Sequence, residues 1–203
     1  MFYVNPPNWN VADLVSAAEY AVDALTVRTD RITTPVEGVT YTGSIAVSGR
    51  LYATGDSVPC GVFHRTIHNG RIVRHDDLKL EPSYRQQGVG TEFVRASLAR
   101  YRELGITSVE LDAGSQTEGP DIVGSYVWAA FGFDWQHDQP INDIREIITS
   151  QRETFADPDG LLNLAVNGAS PRDLSQFGRT DGADVWDGKT LMLRLNWRGV
   201  MRL

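Results

Sequence analysis

The chain has little cysteine, little histidine, no long apolar run and a shortage of positive charge, and each shortage removes a class of protein. One cysteine, Cys60, stands among 203 residues. No internal disulfide can staple the fold, and a reducing, cytoplasmic location is expected. The four histidines show no spacing that gathers three ligands. His64 and His68 lie four apart on a strand-like run, and no metal is expected there. No stretch approaches the roughly 18 apolar residues of a membrane span. The first seven residues carry no basic segment followed by an apolar one, so no signal peptide is expected. Lys and Arg number 19 against 26 Asp and Glu, a formal net charge of −7. That balance disfavours nucleic acid or an anionic membrane surface as the main partner.

What is present is enough apolar material to fold. Hydrophobic residues make up 41%, which can bury a core and argues against wholesale disorder. The length suits a single domain over residues 1–203, with an elaboration. No internal repeat, low-complexity segment or composition break marks a second domain.

Periodicity divides the chain into elements. Asn10 is an N-cap for a helix over 11–25, on which Val11, Leu14, Val15, Ala18, Val22 and Leu25 recur at helical spacing. Residues 27–38 are polar, hold Pro35 and Gly38, and read as a loop. Strand-like runs follow at 40–53, 61–67 and 71–80, with Asn69-Gly70 as a hairpin turn between the last two. The spacing of Val89, Phe93, Val94, Leu98, Tyr101 and Leu104 predicts a helix over 88–103, with Gly105 as its C′ residue. A short strand at 107–111, a loop at 112–121, a helix over 121–131 and a strand opening at Phe133 come next. Further on, 142–155 reads as a helix and 157–160 as a turn. Residues 161–166 and 171–177 read as short helices, and about 191–198 as a final strand.

The densest signal is Leu78-Lys79-Leu80-Glu81-Pro82, followed by Arg85-Gln86-Gln87-Gly88-Val89-Gly90-Thr91. A strand ends at Pro82 and a helix opens near Gly88. Backbone N–H groups at a helix start have no intrahelical partner, and glycines let an anion approach the main chain. This is a seat for the diphosphate of a nucleotide-like cofactor. A nicotinamide-binding fold fits less well. Its glycine motif follows the first strand of a parallel βαβ unit, whereas an antiparallel meander precedes this one.

The element order, Arg85-x-x-Gly88-x-Gly90, and the segment 124–133 ending in Phe131-Gly132-Phe133 together resemble the GCN5-related N-acetyltransferase superfamily. The resemblance covers residues 40–135. It covers 1–39 only by element order, and 140–190 reads as an insertion before the last strand. It implies an α/β fold: a mixed, mostly antiparallel central sheet flanked by helices. It also implies an acyl-CoA cosubstrate, acetyl-CoA or a relative, with no metal. The pantetheine arm would pair with the main chain of Leu78, Lys79 and Leu80. The diphosphate would sit on Arg85, Gln86, Gln87, Gly88, Val89, Gly90 and Thr91. An amine would attack the thioester directly, so the protein must orient it, deprotonate it and release the thiolate.

Two positions depart from the family pattern. The Tyr that often protonates the thiolate, four residues before the Gly of Leu-Gly-Phe, is Trp128 here, and indole is no acid at neutral pH. Trp128 instead suits a pocket wall or the core. Asp121 stands where members often place Asn. For the base, His75 and Asp76 lie on the strand that leads to the phosphate loop, with Asp77 a weaker choice. Asp112 shares a strand face with Glu110, opposite Val109 and Leu111. Glu81 and His137 are secondary, and Cys60 is structural. Two readings stand: an N-acyltransferase acting on a primary amine of a small molecule, peptide or protein, or a non-catalytic acyl-CoA-binding or interaction domain. Acetylation of tRNA-linked amino acids fits poorly with the acidic balance. Residues 140–190 would cover the acceptor site, pair two subunits as a homodimer, or both.

Overall fold

The computed structural model describes residues 20–30, 44–53, 58–68, 71–114 and 124–203. Two compact units form: Met1–Glu110 with Arg202–Leu203, and Leu111–Met201.

The first unit is built on an antiparallel meander of β1 (Tyr20–Asp30), β2 (Ser44–Ala53), β3 (Gly61–His68) and β4 (Ile72–Leu80). Its opening strand corrects the expected helix over 11–25. Residues 20–25 lie in this strand, and 20–23 pair with β2, with Tyr20 opposite Ala53 and Val22 opposite Leu51. Val22 and Leu25 fit a helical stripe, but strand pairing with β2 overrides that local preference. The earlier part of that reading lies outside the described residues. The expected loop at 27–38 likewise yields residues 27–30 to β1, and its remainder lies outside. Asn69-Gly70 also lies outside, although His68 and Ile72 on either side are paired antiparallel.

β3 alternates as its sequence predicts. Gly61, Phe63, Arg65 and Ile67 are buried, and His64 is exposed. Against this face lies α1 (Val89–Glu103), which buries Phe93, Val94, Ser97, Leu98 and Tyr101, the stripe expected of a 3.6-residue repeat. The rings of Phe63 and Phe93 meet at 5.8 Å. After α1 the chain turns at Gly105, φ 75°, and enters β5 (Ser108–Ala113). The N–H groups of Thr107 and Ser108 both bond the Arg71 carbonyl, at 2.8 and 3.4 Å. β5 therefore starts beside the start of β4 and runs parallel to it. The sheet is mixed and mostly antiparallel, with a helix on its face, as expected.

The second unit contains the end of β5, then α2 (Gly124–Phe131), β6 (Asp134–Trp135) and β7 (Trp197–Arg202). β7 lies between β5 and β6 and pairs antiparallel with β6, Trp135 opposite Gly199. The final strand is thus later than the expected 191–198. Leu191, Leu193, Leu195 and Trp197 alternate in sequence. Ahead of β7, however, the buried set is Leu191, Met192 and Leu195, a helical spacing, and residues Asp187–Met192 form a helix.

Between β6 and β7 the insertion is helical: α3 (Ile141–Ser150), a 3-10 turn at Arg152–Thr154, α4 (Pro158–Val166), α5 (Pro171–Gln176) and α6 (Asp187–Met192). The expected turn at 157–160 is the first turn of α4. Asp157 caps it by accepting the Gly160 N–H at 2.9 Å, with Pro158 at the first helical position, the residue types that favour a helix start. Ser170 and Asp173 form a reciprocal capping box on α5.

Candidate functional site

β4 ends at Leu80, and a 3-10 turn at Pro82–Tyr84 leads to the glycine-bearing loop. Two residues there are left-handed, Gln86 at φ 61° and Gly88 at φ 84°. Gly88 is the N-cap of α1. The first helical bond runs from the Glu92 N–H to the Gly88 carbonyl, 3.0 Å. The helix itself therefore offers no acceptor to the N–H groups of Val89, Gly90 and Thr91. A Cβ at Gly88 would meet nothing within 4 Å, so the main chain lies open at this point. Arg85 folds back and donates through Nε to the Leu80 carbonyl at 3.0 Å, and Gln87 Nε2 donates to the Ser83 carbonyl at 2.5 Å. The first bond ties the loop to the end of β4, and the second ties it to the 3-10 turn. The α1 start thus presents a positive dipole end and outward N–H groups, the arrangement that holds a phosphate. Lys79 and Leu78 lie on β4 just upstream, Lys79 exposed and Leu78 half-buried.

β4 carries a bulge. His64 of β3 pairs with Asp77, and Arg65 pairs with His75, so Asp76 is an extra residue on β4. A bulge bends a strand and re-aims its side chains. His75 faces inward in step with Val73, and past it the extra residue leaves Asp76 and Asp77 both exposed. Asp76 accepts the Thr66 hydroxyl at 2.7 Å and lies 3.2 Å from Arg74 Nε.

His75 is 6% exposed and joins a buried polar cluster that composition alone did not reveal. The Arg65 guanidinium, 3% exposed, donates to the Tyr101 hydroxyl, and to Ser97 Oγ at 3.2 Å. It lies over the rings of Phe63, Phe93 and Tyr101, 4.7 to 5.5 Å from their centres, where cation–π attraction replaces part of the lost hydration. His75 Nε2 is 3.2 Å from the same Tyr101 hydroxyl. Burial, and then the charge of Arg65, hold the His75 imidazole well below its ordinary value of 6.5. Burial also lowers Arg65, opposed by Tyr101, and raises Tyr101, opposed by Arg65. One sequence signal could have found Arg65: it occupies an inward position of an alternating strand, between Phe63 and Ile67.

In the second unit, Asp112 on β5 is exposed and pairs with Arg198 of β7 at 3.3 Å. Trp128 on α2 is half-buried. Its ring packs against Phe131 at 6.0 Å and edge-on against Phe133 at 5.4 Å. Tyr126 faces elsewhere and meets Trp186 edge-on at 5.8 Å. The insertion has an open cleft of about 350 Å³, lined by Asp157, Phe177, Trp186, Asp187 and Thr190 among others. Asp187 accepts the N–H groups of Ala156 and Asp157 at 2.9 and 2.7 Å. His137 is exposed. Among the described residues no group of three or more His, Cys, Asp or Glu is placed to hold a metal ion. No helix there is long and apolar enough to cross a membrane.

No protein-family model matches the sequence, and no curated protein matches it. Solved structures do align with it. Ard1 from Thermoplasma volcanium aligns over 46% of this chain and 60% of its own, at 18% identity and a TM-score of 0.36. Nourseothricin acetyltransferase aligns over 94% of this chain and 92% of its own, at 13% identity and a TM-score of 0.40. A GNAT family acetyltransferase from Elizabethkingia anophelis, with acetyl-CoA bound, aligns over 89% of this chain and 99% of its own. Its identity is 9% and its TM-score 0.40.

Proposed function

We propose that this chain is an acyl-CoA-dependent N-acyltransferase, a single domain over its full length. It takes acetyl-CoA or a close relative as donor and a primary amine as acceptor. The observation that carries this reading is the start of α1. A left-handed Gly88 and the unclaimed N–H groups of Val89, Gly90 and Thr91 stand directly after a strand that ends in Leu78, Lys79 and Leu80. This suits a ligand with a diphosphate at one end and an extended amide-bearing arm at the other. Arg85, Gln86 and Gln87 complete the loop.

The acceptor arrives as an ammonium and must lose a proton before its lone pair attacks the thioester carbonyl carbon. The C–S bond then breaks and the thiolate leaves. Of the three candidate bases, His75 has its Nε2 turned to Tyr101 inside the core. The proton therefore falls to Asp76 or Asp112, both at the surface, directly or through water. Trp128 shapes the pocket and supplies no proton, so the thiolate is protonated by water. The indole at this position also favours a second reading, a non-catalytic domain that binds acyl-CoA. One experiment separates the two: incubate the chain with acetyl-CoA and a panel of primary amines, and follow free CoA thiol. Release with at least one amine is expected. Binding of acetyl-CoA without release from any amine selects the second reading, and absence of binding sinks both.

A further inference from the structure

Leu80 ends β4, and its side chain lies between two glycines. A Cβ on Gly61 would come within 3.0 Å of Leu80 Cδ2 and 2.7 Å of the Lys79 carbonyl, and a Cβ on Gly90 within 3.3 Å of Leu80 Cδ1. Glycine at both positions lets β3 and the first turn of α1 close on one leucine. The main chain of Leu80 faces away from β3. Leu80 stands opposite Gly61, and the next ladder bond runs from the Glu81 N–H to the Cys60 carbonyl at 2.9 Å. In an antiparallel ladder this makes Gly61 and Leu80 a pair without bonds to each other. Leu80 therefore turns its N–H and carbonyl outward from β3. Arg85 meets that carbonyl: its Nε–H donates to it at 3.0 Å. The bond closes a turn in which the N–H groups of Tyr84 and Arg85 donate to the Glu81 and Pro82 carbonyls.

We infer that Arg85 is a positioning residue whose Nε–H fixes the end of β4 against the start of α1. It thereby sets the spacing between the strand that would carry the acyl-CoA arm and the N–H groups that would hold its diphosphate. The link to acyl-CoA rests on the proposed function; the tie between Arg85 and Leu80 does not. The role lies in one N–H and its geometry, not in the positive charge. Nε carries a single hydrogen, and that hydrogen points at a main-chain oxygen rather than at a ligand. The Leu80 carbonyl is engaged in the same bond, so an extended arm pairs with other main-chain groups of β4. Leu80 is the point where three constraints meet: Gly61 on β3, Gly90 on α1 and the Arg85 side chain from the loop between β4 and α1.

Side-chain length supplies the test on the whole chain. Glutamine places Nε2 as many bonds from Cα as arginine places Nε, and it donates without a charge. Methionine places a methyl there, which donates nothing. Arg85→Met should bind acetyl-CoA about tenfold more weakly than wild type, and Arg85→Gln should recover most of that loss. The Glu81 amide, bonded to Cys60 beside the tie, should exchange about tenfold faster in Arg85→Met and close to the wild-type rate in Arg85→Gln. In wild type labelled with ¹³C and ¹⁵N, a coupling through the hydrogen bond should join Arg85 Nε to the Leu80 carbonyl carbon. Equal losses of affinity in the two variants would place the role in the charge and overturn the inference, as would full affinity in Arg85→Met. Absence of the coupling in wild type overturns it whether or not Arg85→Met folds. Failure of wild type to bind acetyl-CoA sinks the acyltransfer reading, and the tie is then judged from coupling and exchange alone.

Discussion

Trp197 donates its indole N–H to the Ser125 hydroxyl at 2.8 Å, and Ser125 passes its own proton to the Leu195 carbonyl at 2.5 Å. The two residues are 72 positions apart, and Ser125 is fully buried. One hydroxyl thus joins α2 to the entry of β7. It satisfies two polar groups that have no water to turn to.

Ser125→Ala should therefore cost more than the loss of a small side chain. It strands the Trp197 N–H and the Leu195 carbonyl, a cost of about 1–3 kcal/mol for each buried unsatisfied group. Urea unfolding measures it. Trp197→Phe removes the donor as well. In a double-mutant cycle the pair should cost less than the sum of the single changes. Strict additivity would show that the bond contributes nothing specific.

His75 makes stability depend on pH in a defined window. Its folded value lies well below 6.5, whereas in the unfolded chain it titrates near 6.5. Between those values the unfolded chain holds the extra proton, so acid favours unfolding. The stability of neutral His75 is fully present above about pH 6.5 and is lost as pH falls toward the folded value. The slope from this one group is at most about 1.4 kcal/mol per pH unit. His75→Gln should flatten the stability curve in that window. An unchanged curve would place the acid sensitivity in other groups.

Gly88 separates backbone strain from ligand approach. Its φ of 84° is left-handed, yet a Cβ there meets nothing within 4 Å. Gly88→Asn, a residue that tolerates this region, should fold almost as well as wild type. Gly88→Val should lose about 1–2 kcal/mol of stability from strain. Both should weaken acetyl-CoA binding by about tenfold or more, because a side chain obstructs the approach to the helix N-terminus. Calorimetry that finds wild-type affinity in both variants removes the diphosphate from this loop.

Asp76 and Asp112 compete for the base. The alanine variant of the true base should lose about 10²- to 10⁴-fold in rate at saturating acetyl-CoA, while the other changes little. Asp112→Ala also frees Arg198, an exposed pair whose loss should cost under about 1 kcal/mol. If both variants keep wild-type rates and pH profiles, attention passes to Glu81, Glu110 and His137.

Trp128 tests pocket against core. Trp128→Tyr should keep the fold, because both rings are large with a polar edge. It adds a titratable phenol, which should change the alkaline limb of the rate profile. Trp128→Ala should weaken acceptor binding. Unchanged turnover, together with a melting temperature lower by several degrees, would make Trp128 a core residue that simply packs on Phe131 and Phe133.

Local pattern carried much of this protein. The inward set of β3, the apolar stripe of α1 and the glycine-bearing loop between β4 and α1 are legible because their periods are those of the elements themselves. The open helix start at Gly88 follows from a left-handed glycine at the N-cap, which is a property of a few neighbouring residues. Other features needed the fold. Val22 and Leu25 suit a helix by spacing, and only pairing with β2 makes their segment a strand. Leu191, Leu193 and Leu195 alternate like a strand, and only the core that Leu191 and Met192 enter makes their segment helical. His75 read as a candidate base because sequence places it before the glycine-bearing loop. Its place on the inner face of β4 turns it to Tyr101, 26 positions away, while Arg65 reaches the same hydroxyl across 36. Neighbours in sequence set dihedral preference and period. Which distant side chains share a water-free space, and therefore which protons and charges each can hold, is decided only when the strands and the helix close on one another.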